Sequence, residues 1–513
     1  MVKKSTKQYN TEMTQKNLTK SSQKPAAKAL KKLSKKDAAI QARRDHKALI
    51  IRRTAKILGF VLAVTYIAMA ITILTTQLIP GKYIGVLYLV STLATAAIVY
   101  VQFKGQLKLK TSVILGALSI LMIIGNIGLF TAGVVTNNFL SSIQTTPEST
   151  EEYSIVALKG RGTKLATPNQ TAAFLQSDAN GDAVKTEAAK KATTTNQDFD
   201  SPTTMTLALQ DNTAQLVIFK SSYIQLLKDA NNELYGQLEV LATFTVKTTN
   251  TGVATNTDVT KPFIMYISGI DTYGTISTVS RSDVNIMVVV NPRTHEVLLV
   301  NTPRDYYVQL HGTTGIKDKL THAGIYGIDT SVATLEDLYN VDINYNVRIN
   351  FSSLVKVVDA LDGVDVESEY NFSAGKTTFV AGTNHLNGEQ ALTFSRERHA
   401  FEGGDRTRGQ NQQRVITAII SKLSTPAAAV NFQQVLASIS GAFQTNMSSA
   451  DIKALSRNQL DSLAKWHTSS ISVDGTGATD YTYSMGNVPL YVMVPDQASV
   501  NSAKSKIQQT LSY

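Results

Sequence analysis

The chain has 513 residues, 43% of them hydrophobic and 17% charged, with a formal net charge of +11 and no cysteine. A length beyond what one hydrophobic core usually organises calls for several domains, and the missing thiols exclude disulfides and cysteine-ligated metals. The charge is concentrated: residues 1–56 hold seventeen Lys/Arg against Glu12, Asp37 and Asp45, a local +14, which leaves −3 for the rest. Basicity therefore says little about what the folded domains bind.

The basic tail, residues 1–56, is polar and poor in aromatics, a composition that predicts disorder. It serves as an orientation signal with contact to anionic lipid, and no aromatic or Gly-rich pattern supports a nucleic-acid role. Three apolar segments follow at 57–79, 83–103 and 111–135. Each is long enough to span, because a helix rising about 1.5 Å per residue crosses a hydrocarbon core of about 30 Å in roughly 20 residues. The second link carries Lys104, Lys108 and Lys110. The positive-inside rule then puts the tail and this link in the cytoplasm and everything after 135 outside, in a multi-pass protein of the cell membrane.

Residues 136–152 form a Ser/Thr-rich linker, and 153–258 an extracytoplasmic accessory domain with strands at 216–219 and 238–246, a helix at 221–230 and a loop over 188–204. From 259 the pattern changes. Short, nearly continuous Val/Ile-rich runs at 263–270, 286–290 and 297–300 read as strands buried on both faces, and helical periodicity follows at 331–339, 352–361, 388–394 and 408–423. Strands alternating with helices give an α/β fold, a sandwich over 259–425 that 426–513 completes.

Charged residues gather where the apolar strands end: Asp271, then Arg281 and Asp283, then Arg304 and Asp305. α/β sheets place ligands at such ends. A second cluster runs from Arg396 and Arg398 through Asp405 to Arg408 and Gln412, the last two four apart and so on one helix face. Arginine forks onto phosphate oxygens, and carboxylates hold Mg²⁺ that bridges phosphates, so the set suits a polyanionic, metal-bound ligand. Surface ion pairing would account for any one of these residues, but it does not require two Arg/Asp clusters bordering buried strands.

The series Gly269-Ile270-Asp271, Arg281-Ser282-Asp283, Asn301-Thr302-Pro303-Arg304-Asp305, Lys319-Leu320-Thr321-His322-Ala323 and Arg396 to Arg414 resembles the LytR-CpsA-Psr family, and the three spans with an intervening domain resemble its capsule-associated CpsA branch. The match covers roughly 261–423 and departs from the commonest wording at Thr321 and Ile325. The resemblance implies an α/β/α sandwich that moves a glycan from a polyprenyl-pyrophosphate carrier to a peptidoglycan sugar hydroxyl, the glycan being capsular polysaccharide or another wall polymer. It also implies that Arg281, Arg304, Arg396, Arg398 and Arg408 bind pyrophosphate with Gln412, that Asp271 and Asp283 hold Mg²⁺ or Mn²⁺, and that Asp305 orients Arg304. Catalysis would rest on Arg281, Arg304, Asp283 and Asp405, with Asp405 or Asp271 taking the hydroxyl proton. No Walker A loop, Gly-x-Ser-x-Gly or His-Glu-x-x-His is present. The rivals are a hydrolase of the same pyrophosphate and a membrane sensor or transcriptional attenuator that binds lipid-linked sugar.

Overall fold

A computed structural model describes residues 5–76, 81–104, 107–143, 148–178, 180–230, 232–249, 258–270, 281–425, 443–486 and 488–512. The chain divides into two compact units, one holding the N-terminal helices as far as Gly133, the other running on from Val134.

The helices are α1 (Ser5–Thr76), α2 (Gly81–Lys104) and α3 (Leu109–Ile143). Within them Leu33–Thr76, Gly81–Lys104 and Leu109–Asn138 are long and apolar enough to cross a membrane. Phe60, Ile67, Leu93 and Leu121 stay exposed, an arrangement that suits hydrocarbon surroundings. Polar groups find partners on neighbouring helices, as lipid offers none: Gln102 Nε2 donates to Ser119 Oγ at 3.0 Å and Tyr88 OH to the Ala70 carbonyl at 2.6 Å. The basic tail, expected to be disordered, is helical from Ser5 onward. Its Lys, Ala, Gln and Leu residues are good helix formers, and continuity with the first span spares the helix a separate nucleation step.

The second unit opens with β1 (Glu148–Leu158), β2 (Gln170–Leu175), α4 (Gly181–Ala189), β3 (Thr194–Phe199), α5 (Pro202–Gln210), β4 (Leu216–Lys220), α6 (Ser221–Ala230), α7 (Asn232–Gln237) and β5 (Leu238–Thr249). Five described strands form a mixed sheet in the order β3-β2-β4-β1-β5. The expected loop over 188–204 is corrected: it contains β3 and the start of α5. As an edge strand whose side chains are mostly exposed, β3 needs no apolar alternation, so it left no periodic signal. Proline at the first turn and a Ser201 capping box start α5.

The rest of the unit comprises β6 (Phe263–Ile270), β7 (Ser282–Asn291), β8 (Glu296–Asn301), β9 (Tyr307–Val308), β10 (Asp318–Lys319), α8 (Leu320–Ala323), α9 (Ile328–Tyr339), β11 (Tyr345–Asn350), α10 (Phe351–Ala360), β12 (Val364–Ser368), β13 (Phe372–Ala374), β14 (Thr377–Phe379), β15 (Gly382–Leu386), α11 (Gly388–Arg396), α12 (Asp405–Leu423), β16 (Phe443–Thr445), α13 (Ser449–Ser462), β17 (His467–Ser472), β18 (Gly475–Asp480), β19 (Leu490–Pro495) and α14 (Gln497–Ser512). Six described strands form the central sheet, β16-β11-β6-β7-β8-β17. Both its faces are covered. Tyr266, Met287, Leu298 and Val300 pack beneath Leu335 of α9 and Val500 of α14, while Ile286, Val288 and Leu299 pack against Ile416 and Ile420 of α12. This α/β/α sandwich explains the apolar runs within its inner strands β6, β7 and β8.

The first sheet is joined to the sandwich by packing: Met205 and Val217 share an apolar cluster with Ile325 and Met485. A third core lies beneath α10 to α12, where Phe394 is fully buried with its ring 5.4 Å from that of Phe372 and 5.3 Å from that of Phe379. Phe394→Ala is expected to cost about 3–5 kcal/mol of unfolding free energy. Denaturant unfolding of the purified chain checks this, and a cost under about 1 kcal/mol would show that the core collapses around the gap.

Candidate active site

Strand direction assembles the site. β7 runs antiparallel to both β6 and β8, so its first residues lie at the sheet end where β6 and β8 finish. Asp283 stands there, beside the loop that carries Arg304 out of β8. A Cβ on Gly269 would fall 2.6 Å from Val284 Cβ, so only glycine lets β6 close on β7 at its register shift.

Arg304 is ringed by carboxylates: Nη1 is 3.3 Å from Asp283 Oδ1, Nε 3.6 Å from Asp305 Oδ2 and 4.0 Å from Asp405 Oδ1. Burial pulls its pKa down, but Asp283, Asp305 and Asp405 outweigh that and hold it above the ordinary value. Burial likewise pushes the Asp283 carboxyl up, yet Arg304 and Arg281, with the Thr321 hydroxyl and Arg408, keep it below the usual range. Both groups are therefore charged near neutral pH. Asp305 also takes Lys319 Nζ at 2.5 Å, so it is fixed between two cations, and Thr321 Oγ1 donates to Asp283 Oδ1 at 2.9 Å.

Helix α12 delivers the second cluster. Its first residue, Asp405, pairs with Arg408, a turn before Gln412. Close approach depends on Gly409, where a Cβ would sit 2.4 Å from Asn301 Nδ2 at the end of β8. One turn further along the same face, Gln413 Nε2 donates to the Leu299 and Ile471 carbonyls at 3.2 and 2.7 Å, fixing the helix across two strands. Burial draws Arg408 below its usual pKa, against the pull of Asp405. Arg396 ends α11 with its guanidinium carbon 4.0 Å from the centre of the Phe351 ring.

These residues surround a cleft of about 540 Å³. Asp283, Arg304, Arg396, Arg398, Arg408 and Gln412 line its polar part, and Ile270, Phe351, Leu354, Leu392, Val415 and Ile416 its apolar part. Asp305 and Asp405 reach the cleft through Arg304. Arg281 influences Asp283 by charge but is absent from the cleft lining, and Asp271 lies outside the described residues. Sequence reasoning missed Thr321 and the Lys319–Asp305 pair. The motif that carries them was visible, but the contacts join segments far apart in the chain.

The donor set suits Mg²⁺ in a limited way. Among the described residues no three His, Cys, Asp or Glu are grouped so as to hold a metal ion between them. Mg²⁺, however, commonly takes one or two carboxylates, substrate phosphates and several waters. Asp283, an anion in the cleft lining, meets that minimum.

The family model described as LytR_cpsA_psr matches residues 225–508. The polyisoprenyl-teichoic acid–peptidoglycan teichoic acid transferase TagU of Bacillus cereus is 33% identical over 239 residues, 46% of this chain and 75% of the relative. TagU of Enterococcus faecalis is 35% identical over 208 residues, 40% of this chain and 68% of the relative. The crystal structure of B. subtilis TagV, 28% identical, covers 50% of this chain and 98% of its own at a TM-score of 0.42. The family match reaches beyond the five motifs in both directions, into α6 and α14, and it takes in more than half of the sequence: the chain belongs to the LytR_cpsA_psr family.

Proposed function

We propose that the chain is a membrane-anchored phosphotransferase that moves a glycan from a polyprenyl-pyrophosphate carrier to a sugar hydroxyl of peptidoglycan. One observation carries the reading: a single cleft joins four arginines to an apolar wall, matching a ligand with a polyanionic head and a hydrocarbon tail. Family membership and the names of the TagU relatives support it. The three spans and the accessory sheet favour the capsule-associated branch, and so capsular polysaccharide; teichoic acid is the competing donor. The lysines of the tail and second link favour a cytoplasmic N-terminus, with the sandwich outside, where a flipped lipid-linked precursor meets the wall.

The acceptor oxygen forms a bond to the glycan-proximal phosphorus, the bond from that phosphorus to the bridging oxygen breaks, and polyprenyl phosphate leaves. Such transfer depends mainly on positioning and charge. Arg304, Arg396, Arg398 and Arg408 neutralise the phosphates, with Gln412 donating beside them, and Asp305 and Lys319 hold Arg304 in place. Asp405, beside Arg304 and Arg408, accepts the hydroxyl proton. Asp283 would hold Mg²⁺, which when bound adds positive charge against the phosphate oxygens.

With a polyprenyl-pyrophosphate oligosaccharide, Mg²⁺ and peptidoglycan fragments, the purified chain is expected to form a phosphodiester-linked product, and Arg304→Ala to slow it about 10²–10³-fold. Free phosphoglycan instead identifies a hydrolase, and tight binding without turnover a sensor; capsule-type and teichoic-type donors assayed side by side decide the polymer. Removing a donor to a buried anion costs about 1.5–3 kcal/mol, so Thr321→Val should lower kcat about tenfold or more with donor binding retained, and Thr321→Ser should restore it. Chelation by EDTA is expected to stop turnover and added Mg²⁺ to restore it; turnover indifferent to EDTA removes the metal from the reading.

A further inference from the structure

A second, smaller opening lies on the other side of Arg304. Its volume is about 50 Å³, and it shares Asp283, Arg304, Arg408 and Gln412 with the large cleft. Strand order separates the two. The large cleft uses the ends of β11 and β6 and the start of β7, whereas the small opening uses the ends of β8 and β17, with Ser472, Asp474 and Met493. The shared charges thus stand between two approaches from opposite sides of the sheet end.

Size and chemistry both restrict what the small opening can admit. About 10–15 Å³ of such a cavity holds one water, so a hydroxyl group with its carbon fits, and a pyrophosphate with a lipid tail does not. Asp405 and Asp474 on its wall oppose a second polyanion, while Arg406, Ser472 and Asn301 add donors. Mixed donors and acceptors around a narrow, enclosed space suit the hydroxyls of a neutral sugar. The Arg406–Asp474 pair at its rim, 2.8 Å apart, is 59% and 41% exposed; such pairs are worth about 0–1 kcal/mol, so a ligand can part them cheaply. Tyr491 stands two residues before Met493 on β19, hence on the same strand face, and is half exposed, offering a ring beside the opening for the apolar face of a sugar.

We infer that this second opening is the acceptor subsite, taking a hydroxyl-bearing ring of a neutral glycan on the side of Arg304 away from the lipid carrier. The inference rests on the transferase reading, and it supplies what in-line displacement requires: the attacking oxygen and the leaving phosphate on opposite sides of the phosphorus. The acceptor hydroxyl enters past Asp474 and Met493, meets the glycan-proximal phosphorus beside Arg304, and gives its proton to Asp405. Polyprenyl phosphate departs through the large cleft.

The test uses the full chain in detergent, a polyprenyl-pyrophosphate disaccharide as donor and a peptidoglycan glycan fragment as acceptor, with Asp474→Asn, Tyr491→Ala and Met493→Trp. Each variant is expected to raise the acceptor KM about tenfold or more, the loss of one hydrogen bond or packing contact, while donor KM and donor binding stay within about twofold. Asp474→Asn, which keeps size and shape, decides the matter if Met493→Trp fails to fold. An unchanged acceptor KM in Asp474→Asn and Tyr491→Ala overturns the subsite, as does a donor KM rising in parallel; neither touches the transferase reading as long as Arg304→Ala slows transfer about 10²–10³-fold. A wild type that binds donor but forms no product at any acceptor concentration overturns that reading and the subsite with it.

Discussion

Everything at this sheet end depends on the half-buried Arg304 guanidinium being held among Asp283, Asp305 and Asp405. A cation taken out of water costs several kcal/mol unless its partners are in place. Those partners come from β7, from the loop after β8 and from the first turn of α12, so the charge cluster forms only when the whole sandwich is assembled. Taking away one carboxylate leaves a cation buried and underneutralised, a larger penalty than the pair itself is worth. The cluster is better understood as a device that holds arginines rigid and charged beside a cleft than as a source of stability.

A buried network behind the cleft extends the same constraint. Asp318 is fully buried and accepts from the Ser484 backbone N–H at 2.9 Å, while His322 Nδ1 lies 2.6 Å from its other oxygen. Tyr223, on α6, donates to the Ser484 carbonyl at 2.6 Å. The short motif from Asp318 to His322 therefore looks two ways, with Lys319 and Thr321 holding Asp305 and Asp283 and Asp318 and His322 tied to the loop before β19. Through Tyr223 the first sheet is joined to the segment that supports the site, which gives that sheet a structural part in a site it does not line.

Much of this was legible in the sequence, and the parts that were not share a physical reason. Strands β6, β7 and β8 announced themselves because burial on both faces fills most of their positions with apolar residues, and α12 because one face must meet the sheet. The arginines and aspartates stood out because charges next to buried strands need a purpose. Edge strand β3 carried no such signal, since exposed side chains leave composition free, and the tail composition concealed good helix formers. Thr321 was legible only as a departure from the expected wording. Its bond to Asp283 joins residues 38 positions apart, and the Asp318–Ser484 contact joins residues 166 apart, distances over which periodicity carries no information.

The two openings follow from the same topology. A sheet whose middle strand runs against its neighbours brings one strand start among several strand ends, and the charged loop after β8 divides that edge into two sides. On the β11–β6 side, helices α10 and α11 stand back and expose apolar walls; on the β8–β17 side, Gly409, where a Cβ would sit 2.4 Å from Asn301 Nδ2, lets α12 close on the sheet, leaving a narrow polar space. The fold therefore sets a wide, greasy approach and a narrow, polar one on either side of the same guanidinium, the asymmetry that the proposed transfer requires of substrates that meet only at the phosphorus.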